Sequence, residues 1–138
     1  MTPKELISYA NYLKSYYKNC NIIEIAKHLK CEVCFLNTSP KFITANTYNY
    51  KDGKKVIMIN SRYSELSKNV LCAHELGHAI LNHPYKNEYK DKNLENEYQA
   101  NLFAVALLFD KNDFNMELED MTNYTLEGIL DKNIKMIG

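Results

Sequence analysis

Residues 74–78 read His-Glu-Leu-Gly-His, and the stretch from Val70 to Leu81 is apolar apart from the two histidines and Glu75. A helix that is apolar around its whole circumference has to be buried. Burying two imidazoles and a carboxylate without partners costs about 1–3 kcal/mol for each unmet hydrogen-bonding group, and more for a charge. A divalent cation compensates best. Histidines four apart leave one helix face a single turn apart, which suits two adjacent corners of a tetrahedral ion. Glu75 lies about 100° around from His74 and can reach a water on such an ion without being a ligand. The pattern is the H-E-x-x-H signature of zinc hydrolases. The competing reading is a structural helix whose histidines bond to neighbouring backbone.

A third ligand candidate follows at a workable distance. Residues 93–109 predict a second helix, with Leu94, Glu97, Tyr98, Asn101, Val105 and Leu108 spaced by three and four along one stripe. That spacing puts Glu97 and Asn101 on the inward face, while Glu95 groups with Asn96 and Gln99 on a wetter side. Glu97 is therefore preferred to Glu95. His74, His78 and Glu97 make a two-histidine, one-glutamate set with a fourth position open, the pattern of catalytic rather than structural zinc. One Zn²⁺ is expected, although imidazole and carboxylate also accept manganese or iron. Asn101, one turn past Glu97, either orients a histidine ligand through its other ring nitrogen or bonds to nearby backbone.

The remaining pattern predicts short elements around these two helices. Thr2-Pro3-Lys4-Glu5 is a helix start, and Leu6, Tyr9, Ala10, Leu13, Tyr16 and Tyr17 continue at helical spacing to about residue 18. Residues 22–30 predict a second helix and 32–36 a strand. Residues 43–50 and 55–59 predict a hairpin turning at Asp52-Gly53. Val56-Ile57-Met58-Ile59 does not alternate, which predicts a central strand covered on both faces. Asn60-Ser61 offers caps for the histidine-bearing helix over residues 62–82, in which Leu66, Val70, His74 and His78 step inward by four. Pro84 stops it, and 83–92 is a polar loop. His83, five past His78, is expected to face away as a capping or loop residue. Residues 110–123 are acidic and weakly periodic, and 125–132 predict a short helix.

At 138 residues the chain is expected to form one domain, its core about 20–109 and the remainder a weakly defined tail. Seventeen basic and seventeen acidic side chains cancel, so there is no electrostatic footprint for nucleic acid. Ile25-Ala26-x-x-Leu29 resembles the opening helix of a helix-turn-helix, but Asn37-Thr38-Ser39-Pro40 breaks the chain where a recognition helix would follow. No apolar run approaches the roughly 20 residues of a membrane span, and the first residues lack a signal-peptide core, so a cytoplasmic location is expected. Cys20, Cys31, Cys34 and Cys72 are then read as free thiols, and the lone Cys31-x-x-Cys34 as neither zinc knuckle nor redox centre.

The order Ile-Ala-x-x-Leu, strand, hairpin, His-Glu-Leu-Gly-His, then Glu97-Tyr-Gln-Ala-Asn101-Leu-Phe-Ala104-Val-Ala-Leu-Leu108 resembles the ImmA/IrrE family of metallopeptidases, over about residues 20–109. The resemblance implies an α+β, minimal zincin-like fold related to the thermolysin-like gluzincins. N-terminal helices, a small three-stranded sheet with a hairpin, the H-E-x-x-H helix against a second ligand-bearing helix, and a short helical tail are expected. It matches His74 and His78 to the histidine ligands, Glu75 to the catalytic glutamate and Glu97 to the glutamate ligand. Many members sit on phages or mobile elements and cleave, or otherwise inactivate, a helix-turn-helix repressor. Asp110 stands where many relatives have proline, and the extra C-terminal region of larger relatives is missing, which bears on substrate recognition.

Two functions are carried forward. The first is a zinc endopeptidase in which Glu75 moves the proton and a tyrosine or histidine steadies the oxyanion. Among eleven tyrosines, Tyr85, Tyr89 and Tyr98 are merely nearby in sequence. The second is a non-catalytic anti-repressor or antitoxin-partner module in which the metal only holds the fold.

Overall fold

Capping signals set the N-terminal helices. In the computed structural model, which describes residues 1–39, 44–84 and 93–135, helix α1 (Pro3–Tyr16) begins at a capping box. The Thr2 hydroxyl accepts from the Glu5 N–H, and the Glu5 carboxylate accepts from the Thr2 N–H. Helix α2 (Ile22–His28) repeats the device with Asn21 and Glu24. Each cap satisfies N–H groups that the helix itself leaves unpaired, for about 1 kcal/mol. Leu6, Ala10 and Leu13 of α1, and Ile25 and Ala26 of α2, are then buried in the core.

Three strands follow: β1 (Cys31–Leu36), β2 (Ala45–Asn49) and β3 (Lys55–Asn60), in the spatial order β1-β3-β2. The β2–β3 hairpin is antiparallel and turns through Gly53 at φ +93°, a conformation that glycine adopts without a Cβ clash. β1 lies parallel to β3. The central position of β3 agrees with its apolar run, but its two faces differ. Ile57 and Ile59 are fully buried, whereas Val56 and Met58 are only partly covered. The neighbours of Val56 and Met58 are Tyr48 and Asn46 on one side, Glu32 and Cys34 on the other. A face of such mixed polarity cannot form a second core. Cys31 and Cys34, three apart on a strand, point to opposite faces, and all four cysteines are free thiols.

Helix α3 (Glu65–Ile80) carries the histidines and starts later than its sequence suggests. Asn60 is occupied elsewhere: its amide donates to the Thr38 carbonyl and its oxygen accepts from the Arg62 N–H. Ser64 caps the helix instead, accepting from the Ser67 N–H. Leu66 is exposed while Val70 is buried. Each four-residue step overshoots a full turn by about 40°, so the stripe drifts and Leu66 leaves the face that His78 occupies.

Helix α4 (Leu94–Leu108) is buried on every side from Ala100 to Leu107, with only its first turn, including Leu94, in solvent. It can lie close against α3 because of Gly77. A Cβ there would stand 3.0 Å from the Ala100 Cα and 3.3 Å from the Phe103 ring.

The chain leaves α4 through Phe109, whose carbonyl accepts from the Lys14 Nζ. Asp110 caps a 3-10 turn with its side chain on the Asn112 N–H, the job for which proline would have been useless. After a second such turn, helix α5 (Asn123–Asp131) is capped by Thr122. Leu118, Met121, Leu126 and Leu130 are all buried. This segment is packed rather than frayed. Its apolar residues fall across two 3-10 turns and a short helix, too short a window for any period to emerge. Among the described residues no helix is long and apolar enough to cross a membrane.

Candidate metal centre

The helical repeat sets His74 and His78 one turn apart on α3, with ring centroids 4.8 Å apart and edge to face. Their Nε2 atoms are 3.2 Å apart. Helix α4 brings in Glu97, whose Oε1 lies 3.5 Å from the His74 Nε2 and whose Oε2 lies 2.8 Å from the His78 Nε2. A tetrahedral zinc ion, with bonds of about 2.0–2.1 Å, sets its ligand atoms about 3.3–3.4 Å apart. The three donors therefore fit a single divalent cation after a shift of a few tenths of an ångström, and they form a group able to hold one. Glu95 is exposed and points elsewhere, its carboxylate accepting from the Gln99 amide at 3.3 Å.

The ionisable groups of the site are strongly coupled to one another. Burial disfavours a charged His74, but hydrogen bonding to Glu97 and the charges of Glu75 and Glu97 outweigh it and raise its pKa. Burial likewise opposes ionisation of Glu97. Hydrogen bonds from His74 and His78, and their charge, hold its carboxyl far below the usual carboxylate range. The charged form of His74 and the ionised form of Glu97 stabilise one another here.

Glu75 is buried beside this group, its Oε2 3.8 Å from the His74 Nε2. Its other oxygen is held by Thr47 of β2. The Thr47 hydroxyl lies 2.8 Å from Glu75 Oε1 and 3.0 Å from the Glu75 carbonyl oxygen. The sequence reading did not single out Thr47. The available signal was its place between Ala45 and Asn49 on one face of a strand, a polar residue where an inward one was due.

Asn101 is buried, lines the same cleft as His74, and donates to the Asn123 Oδ1 of α5 at 2.8 Å. It thus ties α4 to α5.

His83 does not face away. Helix α3 ends at Ile80, and Asn82 takes a left-handed φ of +55°. The His83 N–H returns to the His78 carbonyl at 3.0 Å, and the Asn82 N–H to that of Ala79 at 3.1 Å. This is the Schellman ending, which helical periodicity cannot foresee but which Asn just past a helix can signal. It turns the ring back so that His83 Nδ1 meets His78 Nδ1 at 2.8 Å and His83 Nε2 meets Gln99 Oε1 at 2.9 Å. Gln99 is therefore turned toward the site and not merely toward water.

A cleft of about 540 Å³ opens over these groups, lined by His74, Glu75, His78 and Glu97 and bordered by residues 44–47 of the sheet. Tyr98 packs against the core instead of lining it. Tyr85 and Tyr89 lie outside the described residues.

Residues 26–133 match a peptidase family described as the IrrE N-terminal-like domain. The chain is also 34% identical over 119 residues to "Uncharacterized immunity region protein 2" of Bacillus phage phi105, a match covering 82% of this chain and 72% of that one. No solved structure gives a significant match. The chain belongs to the IrrE N-terminal-like peptidase family.

Proposed function

We propose that this member of the family is a zinc-dependent endopeptidase acting on a helix-turn-helix repressor of a phage or mobile element. One observation carries the chemistry: two imidazoles and a carboxylate from different helices converge beside a separate buried glutamate, at the base of an open cleft. The repressor is suggested by the phage relative, whose name places it in an immunity region. A cytoplasmic setting goes with such a substrate.

In this reading His74, His78 and Glu97 hold the ion, and Zn²⁺ suits their donor set. When bound, zinc supplies Lewis acidity, lowering the pKa of a water to about 7 and polarising a carbonyl. The chain's own residues do the rest. Glu75, with one oxygen fixed by Thr47, has its other oxygen toward the cleft. It takes the proton of the attacking water and delivers it to the leaving amine nitrogen. Asn101, which lines the cleft beside His74, orients its ring. Strand β2 pairs with β3 on one side and is an edge of the described sheet on the other. An extended substrate segment laid along that edge would place a peptide carbonyl over the metal donors.

The test uses a helix-turn-helix repressor from the same mobile element as this gene. Zinc-loaded protein should produce discrete fragments, and Glu75→Gln should keep zinc yet yield none. Undiminished cleavage by Glu75→Gln removes the mechanism. A stable complex of two intact chains, unaffected by Glu75→Gln, would establish the anti-repressor alternative.

A further inference from the structure

Behind the histidine pair runs a line of polar groups that no part of the hydrolytic mechanism uses. His78 Nδ1 faces His83 Nδ1 at 2.8 Å, His83 Nε2 faces Gln99 Oε1 at 2.9 Å, and the Gln99 amide nitrogen donates to Glu95 Oε1 at 3.3 Å. We infer that His83, backed by Gln99, is a positioning residue that locks His78 into the tautomer able to bind the metal.

Proton bookkeeping gives the direction. Two ring nitrogens 2.8 Å apart attract only if one carries a hydrogen and the other a lone pair. If His78 presents its Nε2 lone pair to a cation, its hydrogen sits on Nδ1 and points at His83. His83 must then accept at Nδ1 and carry its own hydrogen on Nε2, which points at the Gln99 carbonyl oxygen. That leaves the Gln99 NH₂ directed at Glu95, a carboxylate that only accepts. Every donor in this direction finds an acceptor.

The opposite direction fails at its far end. Were His83 to donate from Nδ1, its Nε2 would need a donor, and the Gln99 amide would have to turn over. Its oxygen would then face the Glu95 carboxylate. Glu95, set aside as a ligand, thus biases the line toward the metal-binding tautomer.

The line also fixes geometry. It joins the last turn of α3 to α4, the two helices that supply the ligands. The Asn49 amide donates to the carbonyls of both His78 and His83, at 3.1 and 2.8 Å, so the turn that returns His83 is itself held from the sheet. An imidazole whose outer nitrogen is held cannot swing its inner one away from the ion.

This inference rests on the metal reading, so the experiment begins with wild-type zinc affinity, measured by competition with a chromophoric chelator. His83→Leu should bind zinc about 10–100-fold more weakly, with an unchanged far-UV spectrum. His83→Gln, whose carbonyl can accept the same hydrogen, should recover most of that loss. Should His83→Leu fail to fold, Gln99→Leu on the more exposed side of α4 carries the test through the same affinity. Nitrogen-15 spectra of the zinc-loaded wild type should show His83 neutral with its hydrogen on Nε2. A hydrogen on Nδ1 of His83, or variants binding zinc as tightly as wild type, would overturn the inference alone. A wild type that binds no zinc would take the metal reading down as well.

Discussion

Thr47 on the edge strand holds Glu75 on helix α3, hydroxyl to carboxylate, at 2.8 Å. The same hydroxyl oxygen lies 3.0 Å from the Glu75 carbonyl oxygen, and its single hydrogen serves the two acceptors in competition. In the proposed mechanism Glu75 moves a proton through its other oxygen, and the bond to Thr47 keeps the carboxylate in place for it. A hydrogen bond to a charged group contributes about 1.5–3 kcal/mol.

Thr47→Val, which keeps the shape and removes the hydroxyl, should therefore lower kcat about tenfold to a hundredfold. Zinc affinity should not change, because Glu75 is not among the donors. Thr47→Ser should restore activity. Steady-state kinetics with parallel zinc titration distinguishes these outcomes, and a Val variant weakened in zinc binding would show that Thr47 supports the ligands instead.

Gly77 sets how near helices α3 and α4 lie. A methyl group there meets the Ala100 Cα at 3.0 Å, and backbone cannot step aside as a side chain can. Gly77→Ala gains up to about 1 kcal/mol of helix propensity but overpacks a close-packed interface at about 1–3 kcal/mol. The net expectation is a loss of stability, a melting point lower by a few degrees, and weaker zinc binding as Glu97 is pushed from the histidines. Calorimetry with and without zinc checks both parts.

The site was legible where chemistry and periodicity coincide. That His74 and His78 share a helix face follows from their spacing, and Glu97 groups with them while Glu95 does not because 100° per residue turns one inward and the other out. What escaped was set by single backbone events or by other elements. His83 returns through one left-handed residue, Asn82, after the helix has ended. Thr47 reaches Glu75 only once the hairpin lies against α3. The start of α3 was misplaced because Asn60 was committed to Thr38 and Arg62, contacts that no local pattern encodes. Residues 110–135 carried too few apolar positions in any one element to advertise their place in the core.

That last segment makes its own test. Leu126 of α5 is fully buried, and Asn123 one turn earlier bonds to Asn101. Leu126→Ala should cost about 2–5 kcal/mol, a large part of the 5–15 kcal/mol that holds a typical domain together. Denaturant unfolding should show one transition moved to lower midpoint. A change below about 1 kcal/mol would mean that α5 is an appendage.

Acidity should act on the metal-free protein and on zinc binding in opposite ways. Burial works against the charged form of His74, yet its bond to Glu97 and the nearby carboxylates raise its pKa above the ordinary 6.5. The stability this lends is complete below 6.5 and is lost as pH climbs through the raised value. Burial also works against ionised Glu97, but the two histidines draw its pKa below the ordinary 4.5. Its contribution is complete above 4.5 and is lost as pH falls toward the depressed value. Both are present together between 4.5 and 6.5. Zinc must displace the protons that make this possible, since imidazole ligates only when neutral. The rise in melting temperature on adding zinc to chelator-treated protein should thus be small near about pH 5.5 and large near about pH 8. Differential scanning fluorimetry at the two pH values reads this directly, and equal rises at both would mean that zinc does not bind through these imidazoles.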